Sequence, residues 1–197
     1  MAHTQNNQPH GWHSRGYLPH FDGNEICQFI TLHLGDALPQ KIIERWKLEL
    51  AHEKDERAKI ELYKRTEKYL DQGYGKCYLK MEEIAAPVQK SLLHFDTARY
   101  NLIAWVIMPN HIHFLLKPIE THTLSGIMHS IKSYTALTAN RFLQRSGRFW
   151  QEDYFDRYIR NYEHYEKTIS YIKNNPVKAG LCETPGDWKF SSAYFQK

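Results

Sequence analysis

AWVIMPNHIHFLLKP, residues Ala104 to Pro118, is apolar throughout except for a turn at Pro109-Asn110, Lys117, and two histidines one residue apart, His111 and His113. On a strand, side chains alternate faces, so the two imidazoles point one way while Asn110, Ile112 and Phe114 point the other. Two rings so placed can reach one metal ion; imidazole suits Zn, Mn and Fe, and Mg less commonly. The plainer alternative is a pair of hydrogen-bonded core histidines. Unpartnered polar rings in so apolar a strand would cost stability, which calls for a partner of some kind. Two protein ligands leave a metal site incomplete, so a third donor has to come from elsewhere, with positions open for water or substrate.

Working outward, Tyr100 to Met108 and Ile112 to Leu116 form a strand pair joined at Pro109-Asn110, or one strand bent there. Upstream, ICQFITLHL (Ile26 to Leu34) is rich in β-branched and aromatic residues and reads as a first strand. Between them, Lys41 to Leu70 is a long stretch of mixed charge at helical spacing. It predicts two helices with a break near Ala51–Asp55 and a solvated charged face. Gly73 and Gly75 punctuate its end, Cys77 to Leu79 reads as a short strand, and Ile84 to Phe95 as a helix after a turn at Ala85–Pro87.

Downstream, the apolar positions Leu124, Ile127, Met128, Ile131, Tyr134, Leu137 and Phe142 predict an amphipathic helix over Thr123–Leu143, ended by Gly147. GRFWQEDYFDRYIRN reads as loop and strand. A second helix is expected from Glu163 to Asn175, stopped by Pro176, and the tail GDWKFSSAYF as a packed loop or short helical turn. Few strands mixed with helices, without regular alternation, predict an α+β sandwich of helices on an antiparallel sheet.

At 197 residues, with 42% hydrophobic and 14% aromatic side chains, the chain fits one domain with a real core. Residues 1–22 read as a flexible polar tail without the pattern of a signal peptide, and 23–197 as a single domain. No apolar run is long enough to cross a bilayer, so a membrane role is not expected. Three distant cysteines without a C-x-x-C pair point to a reducing cytoplasm and to neither a disulfide framework nor a thiolate zinc site. Lys and Arg outnumber Asp and Glu by 26 to 22; residues 1–100 hold 14 of each, so the excess lies wholly in the half that carries the histidines. A basic face there suits a polyanionic substrate, as it equally suits solubility.

The last helix offers a partner for the histidines. Tyr162, Tyr165, Ile169 and Ile172 form its apolar stripe; Tyr171 stands nearly opposite, with Asn175 one turn on. A tyrosine off the packing face is what either a functional phenol or an ordinary surface tyrosine looks like. Together the pair has a chemical use. The Asn175 carboxamide oxygen can complete a three-ligand site, and Tyr171 would stand beside any phosphate held there. A phenol with pKa near ~10 needs activation to act as a nucleophile, and a divalent cation both favours the phenolate and polarises the phosphate. That is a complete set for breaking a phosphodiester by transesterification.

MPNHIHFLL, a Lys-Ser-Tyr-Thr helix, FWQEDYFDRYIR, YIKNNPVKAGL and the closing DWKFSSA occur in that order over Ile26 to Ala193. In these motifs the chain resembles the REP-associated tyrosine transposases, a branch of the single-tyrosine HUH transposases. The resemblance implies a ferredoxin-like antiparallel sheet with helices packed on one face, to which the 41–70 stretch is a helical insertion without assigned function. It implies Tyr171 as nucleophile and His111, His113 and Asn175 as metal ligands, Asn175 standing where related enzymes use glutamine. It further implies Mg²⁺ or Mn²⁺, no nucleotide cofactor, and single-stranded or hairpin DNA as partner, cut and rejoined through a covalent 5′-phosphotyrosine. Monomer and homodimer are both compatible with it.

Strand contacts would come from Lys and Arg near the motifs and from stacking aromatics. Lys132, Arg148, Arg157 and Arg160 are candidates, as are Lys173 and Lys178, with Trp150 as a stacking residue; each has an ordinary reading as a solvated charge or a packed ring. The Y-x-x-x-Y pairs Tyr154/Tyr158 and Tyr158/Tyr162, a spacing used by two-tyrosine initiators, read as packing. Two other functions stay open: a catalytically lapsed nucleic-acid-binding module on the same fold, and a metal hydrolase that activates water.

Overall fold

The computed structural model describes residues 11–14, 19–22, 26–119 and 121–196. Within the segment read as a polar tail, β1 (Gly11–Ser14) and β2 (Pro19–Asp22) pair as an antiparallel hairpin, while residues 1–10 lie outside the described residues. The main sheet holds β3 (Gln28–His33), β4 (Tyr100–Ile107), β5 (His111–Pro118) and β6 (Phe155–Tyr158) in the order β4-β5-β3-β6, all antiparallel. Between β3 and β4 come α1 (Gln40–Glu49), α2 (Asp55–Asp71) and α3 (Glu82–His94); α4 (Leu124–Phe142) joins β5 to β6. Setting α1 and α2 aside, this is the β-α-β-β-α-β connectivity of a ferredoxin-like sheet.

β3 and β5 are central and covered on both faces, so their residues are buried almost without exception. The alternation survives as a division of chemistry. Ile30, Leu32, Ile112, Phe114, Trp105 and Ile107 face α3 and α4 in the larger apolar core. Thr31, His33, His111 and His113 turn to the opposite face, among Phe29, Val106 and Leu115. That second face is covered by α5 (Tyr162–Lys178), added beyond the β-α-β-β-α-β unit, with Ile172 at the centre of its contact. The two crossover helices therefore share one face, as expected, and the tyrosine-bearing helix takes the other.

Several boundaries depart from the sequence reading for local reasons. The turn expected at Ala85–Pro87 is continuous helix: Pro87 removes a bond to the carbonyl of Glu83, an exposed residue. Cys77–Leu79 is no strand; Cys77 takes φ 51° and leads into a 3-10 turn over Tyr78–Lys80, with Leu79 N–H bonded to Pro109 O at 3.1 Å. Pro176 lies inside α5, which runs on until Gly180. There φ +69° permits a Schellman closure, Leu181 N–H to Pro176 O and Gly180 N–H to Val177 O, both 2.9 Å. In α4 the apolar stripe is buried only as far as Ile131. Tyr134, Leu137 and Phe142 are exposed, the inward face continues as Thr135 and Ala139, and the helix ends at Phe142 before Gly147.

The outer edge of β4 is closed by the C-terminal segment, through Ile107 N–H to Phe190 O and Ser192 N–H to Trp105 O at 2.8 Å each. The α2 end is tied to the β4–β5 turn by Asn110, whose Nδ2 donates to Leu70 O (3.1 Å) and Tyr74 O (2.9 Å).

Candidate active site

The β5 register sets His113 opposite Thr31 and His111 opposite His33. Both imidazoles are essentially solvent-free, at 0% and 1% exposure. Each is held by its Nδ1: His113 by Thr31 Oγ1 at 2.9 Å, His111 by Asn110 Oδ1 at 2.7 Å. Because Asn110 Nδ2 already donates to two carbonyls, its Oδ1 is the acceptor, and His111 carries its proton on Nδ1. The Nε2 atoms point inward and lie 3.0 Å apart. Burial drives the pKa of His113 down to about 3, helped by the charge of Lys178, and pushes His111 well below its ordinary value. Neutral rings, anchored through Nδ1 and converging through Nε2, could both donate to one metal ion, with the partners that orient them in place.

A metal held by two histidines would need a third donor. Among the described residues no three His, Cys, Asp or Glu side chains form a metal-holding group. Asn175 fits: it is 1% exposed on the inward side of α5, and neither atom of its carboxamide has a hydrogen-bond partner. A buried amide left so is costly unless something polar meets it.

Tyr171, one turn before Asn175, has its hydroxyl 3.5 Å from His113 Nε2, its ring edge-on to Phe29 and its ring centroid 5.4 Å from that of His113. The sequence reading put Tyr171 opposite a stripe that starts at Tyr162. Tyr162 is instead 77% exposed, while Tyr165, Ile169 and Ile172 pack on the second core as expected; the fully buried positions of α5 are Thr168, Ile172, Asn175 and Pro176, and Tyr171 also packs there, half-buried. Tyr154 is buried in the other core and Tyr158 is half-buried on β6, so of the Y-x-x-x-Y residues Tyr162 is the one that departs from the packing expected.

The residue missed in the sequence is Glu67. It comes from α2, is buried, and accepts a short hydrogen bond from the Tyr171 hydroxyl through Oε2. The same oxygen lies 3.3 Å from His113 Nε2, and Oε1 accepts from Thr31 Oγ1 at 3.4 Å. Burial raises its pKa to about 7, against the hydrogen bond from Tyr171, which lowers it. The Tyr171 phenol is itself raised, by burial first and then by Glu67. A spacing of Tyr63, Glu67 and Leu70 at i, i+4 and i+7 was the available signal, obscured by charges on every side of the helix.

Of the candidate strand contacts, Lys178 is the one brought beside Tyr171. Its Nζ lies 5.7 Å from the Tyr171 ring centroid and pairs with Asp71 at 2.7 Å. Trp150 cannot stack on a base from where it is. It is 3% exposed in the larger core, with Nε1 donating to Thr135 Oγ1 at 2.8 Å. Lys132 is turned to the carbonyls of Gln151 and Glu152, tying α4 to the following loop, and Arg148 is turned to the Glu152 carboxylate within that loop. Arg157 is half-buried on β6, Arg160 exposed above Tyr158, and Lys173 half-buried on α5.

Comparison with known proteins places this geometry. A family model described as "Transposase IS200 like" matches residues 76–175, half the chain, and the protein belongs to that family. The matched span contains His111, His113, Tyr171 and Asn175, and excludes Glu67. A REP-associated tyrosine transposase of Escherichia coli is 30% identical over 96 residues, 47% of this chain and 54% of that one, so the match spans about half its length. A provisionally named REP-associated tyrosine transposase of Haemophilus influenzae is 26% identical over 143 residues, 68% of this chain and 76% of that one. The solved structure of a REP-associated tyrosine transposase bound to a REP hairpin is similar in fold, with TM-score 0.56 at 18% identity over 92% of this chain and 84% of that one. No helix among the described residues is long and apolar enough to cross a membrane.

Proposed function

We propose that the protein cuts and rejoins single-stranded, hairpin-forming repeat DNA, with Tyr171 as the nucleophile and a divalent cation held by His111, His113 and Asn175. The observation that carries this is the convergence of the two Nε2 atoms, 3.0 Å apart, beside a tyrosine hydroxyl 3.5 Å from one of them. A cation bound there, Mg²⁺ or Mn²⁺, supplies positive charge that polarises a phosphate oxygen and steadies the departing 3′-oxygen. Tyr171 forms the new bond to phosphorus while the bond from phosphorus to the 3′-oxygen breaks, leaving a 5′-phosphotyrosine and a free 3′-hydroxyl. Because one ester replaces another, rejoining is the same step reversed and needs no nucleotide. The burial of His111 and His113 keeps water from competing with the 3′-hydroxyl for the ester. Lys178, beside the Tyr171 ring, is the strand contact nearest the chemistry. Hairpin DNA as substrate rests on family membership and on the relatives named for REP association.

The test incubates the purified protein and Tyr171→Phe with labelled hairpin oligonucleotides from repeats flanking its gene, with Mg²⁺ or Mn²⁺. A metal-dependent adduct that survives denaturing gels and is missing from the variant is the expected result. Cleavage without adduct would instead indicate hydrolysis, and binding with neither product the lapsed module.

A further inference from the structure

From the geometry we infer that Glu67, on the helical insertion, is a further catalytic residue: it orients the Tyr171 hydroxyl and takes its proton as the oxygen attacks. The inference rests on the reading of Tyr171 as the nucleophile. Two acceptors lie near the phenol oxygen. Glu67 Oε2 already receives its hydrogen bond, whereas His113 Nε2 is farther off, at 3.5 Å, and closer to His111 Nε2, at 3.0 Å. An imidazole nitrogen committed to a cation has no lone pair left for a proton, which leaves the carboxylate. Thr31 fixes the other carboxylate oxygen and also bonds His113 Nδ1, so Glu67, the metal-side histidine and the phenol share one rigid frame on β3 and β5. Tyr63, one turn earlier on α2, is braced by stacking on Phe155, with ring centroids 4.3 Å apart.

The step balances. The Tyr171 O–H bond breaks and its proton passes to Glu67 Oε2; Tyr171 Oη bonds to phosphorus; the 3′-oxygen leaves and takes a proton from water. Rejoining runs the transfers backward. Neither the histidine segment nor the tyrosine helix contains this carboxylate, and the span matched by the family model begins nine residues after it.

The test uses the full chain, wild type and Glu67→Gln. Glutamine keeps an oxygen to receive the phenol hydrogen bond but cannot accept the proton. Two rates are read. One is adduct formation with saturating labelled hairpin in a single turnover, with hairpin affinity measured alongside. The other is phosphonylation of Tyr171 by a small phosphonofluoridate, located by peptide mass spectrometry, in which fluoride leaves phosphorus and no DNA is needed. The expected result is a loss of about 10²-fold or more in both rates, with hairpin affinity unchanged. Equal or faster rates in the variant overturn the inference and make Glu67 a carboxylate that merely fills the phosphate's place. If the wild type forms no DNA adduct yet Tyr171 is phosphonylated in a Glu67-dependent way, the DNA reading fails and the role of Glu67 stands. If Glu67→Gln does not fold, Glu67→Asp replaces it: slower reaction in both assays supports the inference, and unchanged rates refute it.

Discussion

Replacing Asn175 by leucine should make the protein more stable without metal and less responsive to it. The side chain is 1% exposed, and neither carboxamide atom is paired. Burying an amide without a partner costs about 1–3 kcal/mol in proteins. Leucine shares the branching at Cγ and has no polar atom to desolvate, and Ile172, one turn back on the same buried face, is apolar. Leucine is slightly larger, and overpacking takes back about 1 kcal/mol. The net gain for Asn175→Leu in EDTA is then roughly 0–2 kcal/mol, or at most about 8 °C in melting temperature for a chain of this size. Saturating Mn²⁺ should reverse the order, because a ligand that binds only the folded state stabilises it in proportion to ln(1 + [L]/Kd), and the variant has lost a donor. Thermal unfolding of both proteins in EDTA and in Mn²⁺ reads this directly. A variant that is destabilised by more than about 1 kcal/mol in EDTA would mean that the carboxamide has partners after all; equal Mn²⁺ stabilisation of both would remove Asn175 from the ligand set.

Other outcomes follow from the same coordinates. His33 and His113 have pKa values lowered by burial to about 4 and about 3, so the native state binds fewer protons than the unfolded chain below pH ~6.5, and stability falls as pH falls; at pH 5 each costs about 2 kcal/mol relative to pH 8. Glu67, raised to about 7, works the opposite way over pH 4.5–7, so urea midpoints in EDTA should show a shallow acid slope in wild type and a steeper one in Glu67→Gln. Trp150→Phe should lose about 1–2 kcal/mol of stability by leaving Thr135 without its indole donor, while hairpin affinity by anisotropy stays unchanged; a loss of about 1–3 kcal/mol in binding would return Trp150 to the strand-contact set. Gly180→Ala meets no atom within 4 Å but holds φ +69°, so chemical denaturation should register only the backbone strain, about 1–2 kcal/mol.

The histidine pair was legible because a strand covered on both faces has little reason to carry polar residues, and a period of two then marks the exceptions. Thr31 and His33 on β3 repeat the pattern, F-I-T-L-H, and the structure sets them opposite His113 and His111. Helices gave less. In α5 the stripe Tyr162, Tyr165, Ile169 and Ile172 packs on the sheet from Tyr165 onward, while Tyr162 in the first turn overhangs and is exposed. Tyr171 was identified through its pairing with Asn175, while its half-buried position on the border of the inward face follows from where α5 crosses β4 and β5.

Glu67 marks the limit of such reading. A glutamate among Glu61, Lys64, Arg65 and Lys68 has the pattern of a solvated helix, and nothing local distinguishes the one member that turns inward. What turns it inward is tertiary: the hold of Asn110 on the end of α2, the Lys178–Asp71 pair and the packing of Tyr63 on Phe155 together lay this helix across the open side of the histidines. A carboxylate there loses its water and keeps three protein contacts, to Tyr171, Thr31 and His113. An isolated buried charge would be expelled or neutralised. A carboxyl group buried against a phenol and an imidazole, with its pKa raised to about 7, is therefore the strongest physical sign that α2 contributes to the proposed active site and is more than an ornament on the sheet.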